Sequence, residues 1–294
     1  MNEAKKLCDK LKIIPTKRKG QNFLVNGKIL EDIINAAELK PDDIILEIGP
    51  GLGVLTEELA QKAKKVIAVE LDKKLAAYLK EKFKNQPNVE IIQGDILKTD
   101  LRFKTKAQNK VLCSAEHKNI CAPVKDLRYK LVANLPYNIT GIVLRKFLSE
   151  APKPNLMVLM VQKEVAERIL AKNKKSAIIS LMVAFYGQPE TIKVVSKNHF
   201  WPRPKVDSAL LKITLTNADR TQTNADINGH NFFKLVRQGF SHPRKQLIGN
   251  LAKIEEKSTL KTIFQKLELN PKTRAEDLSL EKWLRVYYYI YEGR

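Results

Sequence analysis

Residues Ile44 to Glu58, IILEIGPGLGVLTEE, constrain the fold of this chain more than any other stretch. Ile44, Ile45, Leu46 and Ile48 read as a fully buried strand, Gly49, Gly51 and Gly53 punctuate it, and a helix-forming run starts at Val54. Strand, tight glycine loop and helix make a unit in which the backbone comes close to a ligand and the free N–H groups of the helix start face it. A guest of nucleoside or phosphate character suits such a loop. The spacing is Gly-x-Gly-x-Gly and departs from the dinucleotide fingerprint, because Val54 stands three positions after Gly51. A second buried strand follows at Val66 to Leu71, VIAVEL, with Glu70 near its tip and Asp72 just beyond. A carboxylate there, about twenty residues past the glycines, is placed to accept hydrogen bonds from ribose hydroxyls.

The rest of the chain extends this pattern. KRKGQNFL at Lys17 to Leu24 is basic and broken by glycine, and it can lie as a lid across the mouth of the site ahead of a helix from about Asn26 to Leu39. A helix at Lys73 to Phe83 carries Leu75, Leu79 and Phe83 as a core stripe, and a third strand at Asn88 to Gly94 delivers Asp95 at its carboxyl end. In open α/β sheets ligands sit at that edge, so Asp95 can accept from the exocyclic amine of adenine; a local turn role competes, since Asp also favours turns. Lys130 to Ala133 reads as a fourth strand, Gly141 to Leu148 as a helix, Leu156 to Val161 as a strand, and Lys163 to Leu170 and Ser176 to Phe185 as helices. Glu190 to Val195 and Ala209 to Leu215 close the block as an antiparallel hairpin. The expected fold is an α/β doubly wound sheet over residues 1–216, a polar linker over 217–230, and a small helical domain over 231–294. Helices are expected there at Phe232 to Phe240, Arg244 to Leu251, Leu260 to Leu267 and Leu280 to Tyr291, with Ser241 and Ser279 as N-caps.

Charge narrows the partner. Lys and Arg number 53 against 32 Asp and Glu, a net charge of +21 that favours a polyanion through counterion release and steering. The first twenty residues lack an apolar core of the secretory kind, and the longest apolar runs fall short of the ~20 residues of a membrane span, so a cytoplasmic protein is expected. Three cysteines fit a reducing compartment better than a disulfide framework. Between Lys104 and Lys125 the pattern is lost; Cys113, His117 and Cys121 are spaced to share one helical face, but a structural zinc site wants four ligands, and no metal is expected.

Asn134-Leu135-Pro136-Tyr137 carries the most chemistry. The Asn134 amide oxygen and the Leu135 carbonyl can accept both hydrogens of an adenine amino group, Pro136 stiffens the backbone between, and Tyr137 offers an aromatic face; turn chemistry alone would also suit the tetrapeptide. Together GQNFL at Gly20 to Leu24, EIGPGLG at Glu47 to Gly53, VELD at Val69 to Asp72, GDIL at Gly94 to Leu97, NLPYNIT at Asn134 to Thr140 and FWPRPKVDS at Phe200 to Ser208 resemble the bacterial small-subunit rRNA adenine N6,N6-dimethyltransferases of the KsgA type. HPRKQLIGNL, near the C-terminus, resembles that family's basic helix.

The resemblance implies a Rossmann-like class I S-adenosylmethionine-dependent methyltransferase domain followed by a helical RNA-binding domain. It implies methyl transfer to two adjacent adenosines near the 3′ end of 16S rRNA within the 30S particle, by a chain acting as a monomer. On the same ground Asn22, Leu24, Gly49, Glu70, Asp95 and Asn134 line the cofactor pocket, and Tyr137 and Phe200 sandwich a flipped base, with packing of Phe200 against its hairpin as the lesser alternative. Two departures stand out: the length of the Lys104 to Lys125 excursion, and His242-Pro243 within the basic helix. Two other readings stay open, an Erm-type enzyme acting on a 23S rRNA adenine and an RNA-binding assembly factor with a vestigial pocket. Because phosphate contacts from Lys and Arg dominate such binding, RNA affinity is expected to fall steeply as salt rises from about 50 to 200 mM. A flat response in a filter-binding titration would argue against an RNA partner.

Overall fold

The structure is a computed structural model and describes residues 3–15, 20–99, 102–106, 109–113, 129–150, 152–172, 175–216 and 227–293. Contacts divide the chain into two units, Met1–Lys163 with Glu190–Leu215, and Glu164–Pro189 with Thr216–Arg294. The elements run α1 (Glu3–Lys10), β1 (Phe23–Leu24), α2 (Gly27–Ala36), β2 (Ile44–Ile48), α3 (Val54–Lys62), β3 (Lys65–Glu70), α4 (Lys73–Lys82) and β4 (Val89–Gln93). A two-stranded ribbon follows, β5 (Arg102–Lys106) and β6 (Asn109–Cys113), then β7 (Lys130–Asn134), α5 (Thr140–Ser149), β8 (Leu156–Gln162), α6 (Lys163–Ile169) and α7 (Ile178–Tyr186). The chain continues through β9 (Gly187–Val195), β10 (Phe200–Trp201), β11 (Ser208–Leu215), α8 (Gly229–Gly239), α9 (Leu247–Leu251), α10 (Lys257–Lys266) and α11 (Leu280–Tyr291).

Among the described residues seven strands form one sheet in the order β4-β3-β2-β7-β8-β11-β9. The first five are parallel, and β11 runs antiparallel to β8 with Ser208 opposite Gln162 and Thr214 opposite Leu156. Apolar runs buried on both faces are what parallel strands between helices require, and β2, β3, β7 and β8 are buried along nearly their whole length. One face packs on α2 and α3, where Ile33, Leu59, Ile45, Val132 and Val158 share a single apolar cluster. The strand order reverses between β2 and β7. Such a switch point opens a crevice at the strands' carboxyl ends, so topology alone brings the glycine loop after β2 beside the Asn134 loop after β7.

Local chemistry sets the helix starts. Asn26 accepts from the Ile29 N–H at 3.1 Å and caps α2, and Asp72 accepts from Lys74 and Leu75 and caps α4. Helix α3 starts from Gly53 at φ 76°, a left-handed conformation, and a Cβ there would meet Leu79 Cδ2 at 2.6 Å and Phe83 Cε2 at 3.0 Å. Gly53 is therefore demanded both by its backbone and by close packing against the α4 stripe, whose Leu75, Leu79 and Phe83 are all buried. Helix α1, polar in overall composition, has no counterpart among the sequence expectations; its Ala4 and Cys8 join Phe23, Leu52 and Leu75 in a second apolar cluster.

The break between Leu215 and Thr216 falls where the first domain is expected to end, whereas residues 164–189, expected inside that domain, belong to the second unit. Residues 164–189 group with the C-terminal helices because of aromatic packing: Phe185 stacks on Phe232 with centroids 5.0 Å apart and meets Phe233 edge-on at 5.3 Å. Ser279 caps α11 as expected, accepting from the Lys282 N–H. Ser241 does not cap a helix: α9 begins only at Leu247, and Gln246 holds the cap position. The intervening turn is tied by Asn250, whose Nδ2 donates to the carbonyls of Gly239 and His242, which leaves Arg244 and Lys245 exposed. Of the three spaced ligand candidates, Cys113 ends strand β6, while His117 and Cys121 lie outside the described residues. Gly53→Ala is expected to destabilise the protein by about 1–3 kcal/mol through backbone strain and the clash with Leu79. A urea midpoint equal to that of the parent would contradict this account of the α3 start.

Candidate active site

At the switch point lies a cavity of about 830 Å³, walled by the N-terminal segment, the glycine loop, the tip of β3, the turn after β4 and the Asn134 loop. The loop is fastened by Glu70, whose Oε2 accepts from the Gly51 N–H at 3.1 Å and whose Oε1 accepts from the Asp72 N–H at 2.8 Å. Gly49 donates to the Val69 carbonyl at 2.9 Å, which seats the loop on the same strand end. Burial pushes the Glu70 carboxyl above its usual range, and the backbone N–H groups of Asp72 and Gly51 oppose that shift. Each carboxylate oxygen keeps a further lone pair for a ligand hydroxyl.

Asn134 sits at the end of β7 and donates from Nδ2 to the Asn22 carbonyl at 2.9 Å. A carbonyl can only accept, so this bond fixes which way the amide faces and leaves Oδ1 as the acceptor for an incoming amine. Asn22 Nδ2 turns back to the Gly20 carbonyl at 3.3 Å. Gly20 lies so close to the Asn134 loop that a Cβ on it would stand 2.9 Å from Pro136 Cβ, and its φ of 62° also calls for glycine. The GQNFL segment thus lies on the loop that holds Asn134, and β1 is pinned from its other side by β10, with Phe23 opposite Trp201.

Of the residues expected at the site, Asn22, Leu24, Gly49, Glu70, Asp95 and Asn134 all line the cavity. Asp95 also fills the turn role that competed for it, since its Oδ1 accepts from the Leu97 N–H at 2.9 Å. Leu135 is buried and donates its N–H to the Met160 carbonyl at 3.2 Å, and it does not line the cavity. Tyr137 is half-buried; its hydroxyl is 2.8 Å from Ser208 Oγ, and burial holds its phenol above the ordinary range. Phe200 corrects an expectation: it is 3% exposed and packs in the apolar cluster with Val195 and Leu210, so its ring is not open to a base. The half-exposed aromatic of that segment is Trp201.

Glu47, the first residue of the EIGPGLG motif, has no role among the sequence expectations. It lies within β2 at 1% exposure, lines the cavity, and its Oε2 has no hydrogen-bond partner. Burial, with the neighbouring Glu70 charge adding to it, pushes its carboxyl to about 8. The signal was present, because a charge inside an otherwise apolar strand is costly unless a partner arrives. A cavity walled by Glu47, Glu70 and Asp95 beside a glycine loop is suited to a nucleoside that carries positive charge, and S-adenosylmethionine, with its sulfonium and ammonium, fits that donor set.

A family model described as ribosomal RNA adenine dimethylase matches residues 15–292. The chain belongs to that family. Ribosomal RNA small subunit methyltransferase A of Dehalococcoides mccartyi is 43% identical over 286 residues, 96% of this chain and 91% of the relative. The Clostridium botulinum protein of the same name is 35% identical over 98% of both chains. Among solved structures, a dimethyladenosine transferase from Plasmodium falciparum matches with TM-score 0.70 and 26% identity over 90% of this chain and 95% of that one. The 23S rRNA methyltransferase ErmE matches with TM-score 0.67 over 92% and 99%; at 24% identity that likeness speaks for the fold.

This rRNA adenine dimethylase is therefore a class I methyltransferase whose cofactor is S-adenosylmethionine. Its ligand-free form carries a stability term set by Glu47. A carboxyl raised from 4.5 to about 8 in the fold contributes stability that is complete below the ordinary carboxylate range and is lost as pH climbs towards about 8. The melting midpoint of the ligand-free dimethylase is expected to fall between pH 5 and pH 8, and Glu47→Gln to flatten that fall. Parallel pH profiles for parent and variant would contradict the assignment.

Proposed function

We propose that the chain dimethylates N6 of two adjacent adenosines in the 3′-terminal hairpin of 16S rRNA, on the 30S particle, and so takes part in small-subunit biogenesis. Two relatives over nearly their whole length carry the small-subunit name, and the charge of +21 suits a large RNA partner. Among the described residues no helix is long and apolar enough to cross a membrane. The expected setting is the cytoplasm, with the protein acting as a monomer.

S-adenosylmethionine supplies a methyl group on a sulfonium, an electrophile whose leaving group is neutral. The residues have to aim a nitrogen and keep water away. Asn134 Oδ1 accepts from N6 at the cavity wall, helps hold the lone pair out of the ring's conjugation, and stabilises the positive charge that develops on nitrogen; the expected second acceptor, the Leu135 carbonyl, belongs to a residue that does not line the cavity. Tyr137 offers its face to the base, and Ser208 steadies its hydroxyl. Glu70 accepts from the cofactor ribose and Asp95 from its adenine amine, while Asn22, Leu24 and Gly49 close the wall around them. No general base is required in the transferring step, since the nitrogen attacks neutral and sheds its proton afterwards.

The observation that carries this reading is the amide of Asn134, turned by the Asn22 carbonyl so that its oxygen is the free acceptor at the cavity wall. Asn134→Ala is expected to lower methyl transfer by roughly 10²–10³-fold, the scale seen when a group stabilising developing charge is removed, with particle binding unchanged. The assay incubates the protein with radiolabelled S-adenosylmethionine and 30S particles that lack the modification, then maps the label. Activity of the variant within a few fold of the parent sinks the role of Asn134. Label in 23S rather than 16S RNA sinks the target.

A further inference from the structure

Helix α5 begins directly after the Asn134 loop, and its last turn carries Lys146. That side chain reaches across to the turn after β4, where Nζ donates to the carbonyls of Ile96 at 2.9 Å, Leu97 at 3.2 Å and Thr99 at 3.1 Å. Three carbonyl oxygens converging on one point repel one another unless a cation sits between them, and the half-buried ammonium supplies it. The same turn holds Asp95: its carbonyl accepts from Lys98 and Thr99, and its Oδ1 accepts from Leu97. Asp95, Ile96 and Leu97 all line the cavity, whereas Lys146 does not.

We infer that Lys146 is a positioning residue for cofactor binding, which gathers the carbonyls of the turn after β4 and so holds Asp95 against the cavity. The inference rests on the proposed role of Asp95 toward the cofactor's base. One rigid helix then carries the transfer loop at its start and the clamp on the base-binding turn near its end. The two halves of the cavity on either side of the switch point keep a fixed spacing. In sequence Lys146 carries no sign of this role, because a lysine in the last turn of a helix ordinarily just complements the helix dipole.

The test uses the full chain and S-adenosylhomocysteine as probe, with affinity read by calorimetry. Lys146→Met keeps the aliphatic stem and removes the charge. It is expected to weaken the probe roughly tenfold, in line with the loss of charge-assisted hydrogen bonds, while kcat at saturating cofactor stays within about twofold. Amide exchange at Leu97, Lys98 and Thr99 is expected to accelerate with β2 and β3 unchanged, which also establishes that the variant is folded. Lys146→Arg should recover part of the affinity. Asp95→Asn is measured alongside, alone and combined with Lys146→Met, and the two effects should fall short of adding, as they do when residues act through one element. If Asp95→Asn weakens the probe and Lys146→Met does not, the clamp is overturned and the Asp95 role stands. If neither variant changes affinity, the reading of the turn fails and the clamp with it.

Discussion

The carboxylate of Glu70 holds the arrangement together. It ends β3 at 5% exposure and accepts from the backbone of Gly51 and of Asp72, joining the glycine loop after one strand to the helix start after the next. Burying a carboxylate is costly, and the two N–H groups offset only part of that cost, since its protonation remains shifted upward. What results is a cavity wall whose shape and acidity are set before any ligand enters. Glu47, a second buried carboxyl on the neighbouring strand with one oxygen unpartnered, stays largely protonated until the pH nears about 8. A positive charge entering the pocket would favour ionisation of both carboxyls, so a sulfonium cofactor suits it.

Topology supplies what side chains alone could not. The reversal of strand order between β2 and β7 places the glycine loop next to Asn134 although more than eighty positions separate them in sequence. Fine placement then comes from short contacts: Gly20 against Pro136, the Asn22 carbonyl on the Asn134 amide, and Lys146 over the turn that bears Asp95. Methyl transfer to a neutral amine asks for alignment more than for acid–base machinery, and fixed loops with the Asn134 amide at the cavity wall are suited to that.

Much of this was legible in the sequence, for a physical reason. Parallel strands buried on both faces leave unbroken apolar runs, and IILEI, VIAVE and LMVLMV show them directly. The glycines and Glu70 sit at the ends of two of those runs, and Asp95 follows the half-buried β4, so local pattern marks the cavity wall. The misses share a different cause. Phe200 is aromatic beside a turn, and only the packing of β8, β11 and α2 decides that it faces inward. The grouping of residues 164–189 with the C-terminal helices depends on Phe185 finding Phe232, a pairing without local trace. Glu47 was masked by the apolar strand around it, and α1 by its lysines, although Ala4, Leu7, Cys8 and Leu11 mark one face at helical spacing.

The central claim is that the acid-lined cavity between β2 and β7 receives the cofactor, with Glu70 accepting from its ribose while still holding the loop. A crystal structure of the protein with S-adenosylhomocysteine tests it most directly. The account predicts the ligand in this cavity, its ribose hydroxyls within about 3 Å of the Glu70 oxygens and its adenine amine beside Asp95. A ligand bound elsewhere, or one seated here with Glu70 turned away from the ribose, would contradict it.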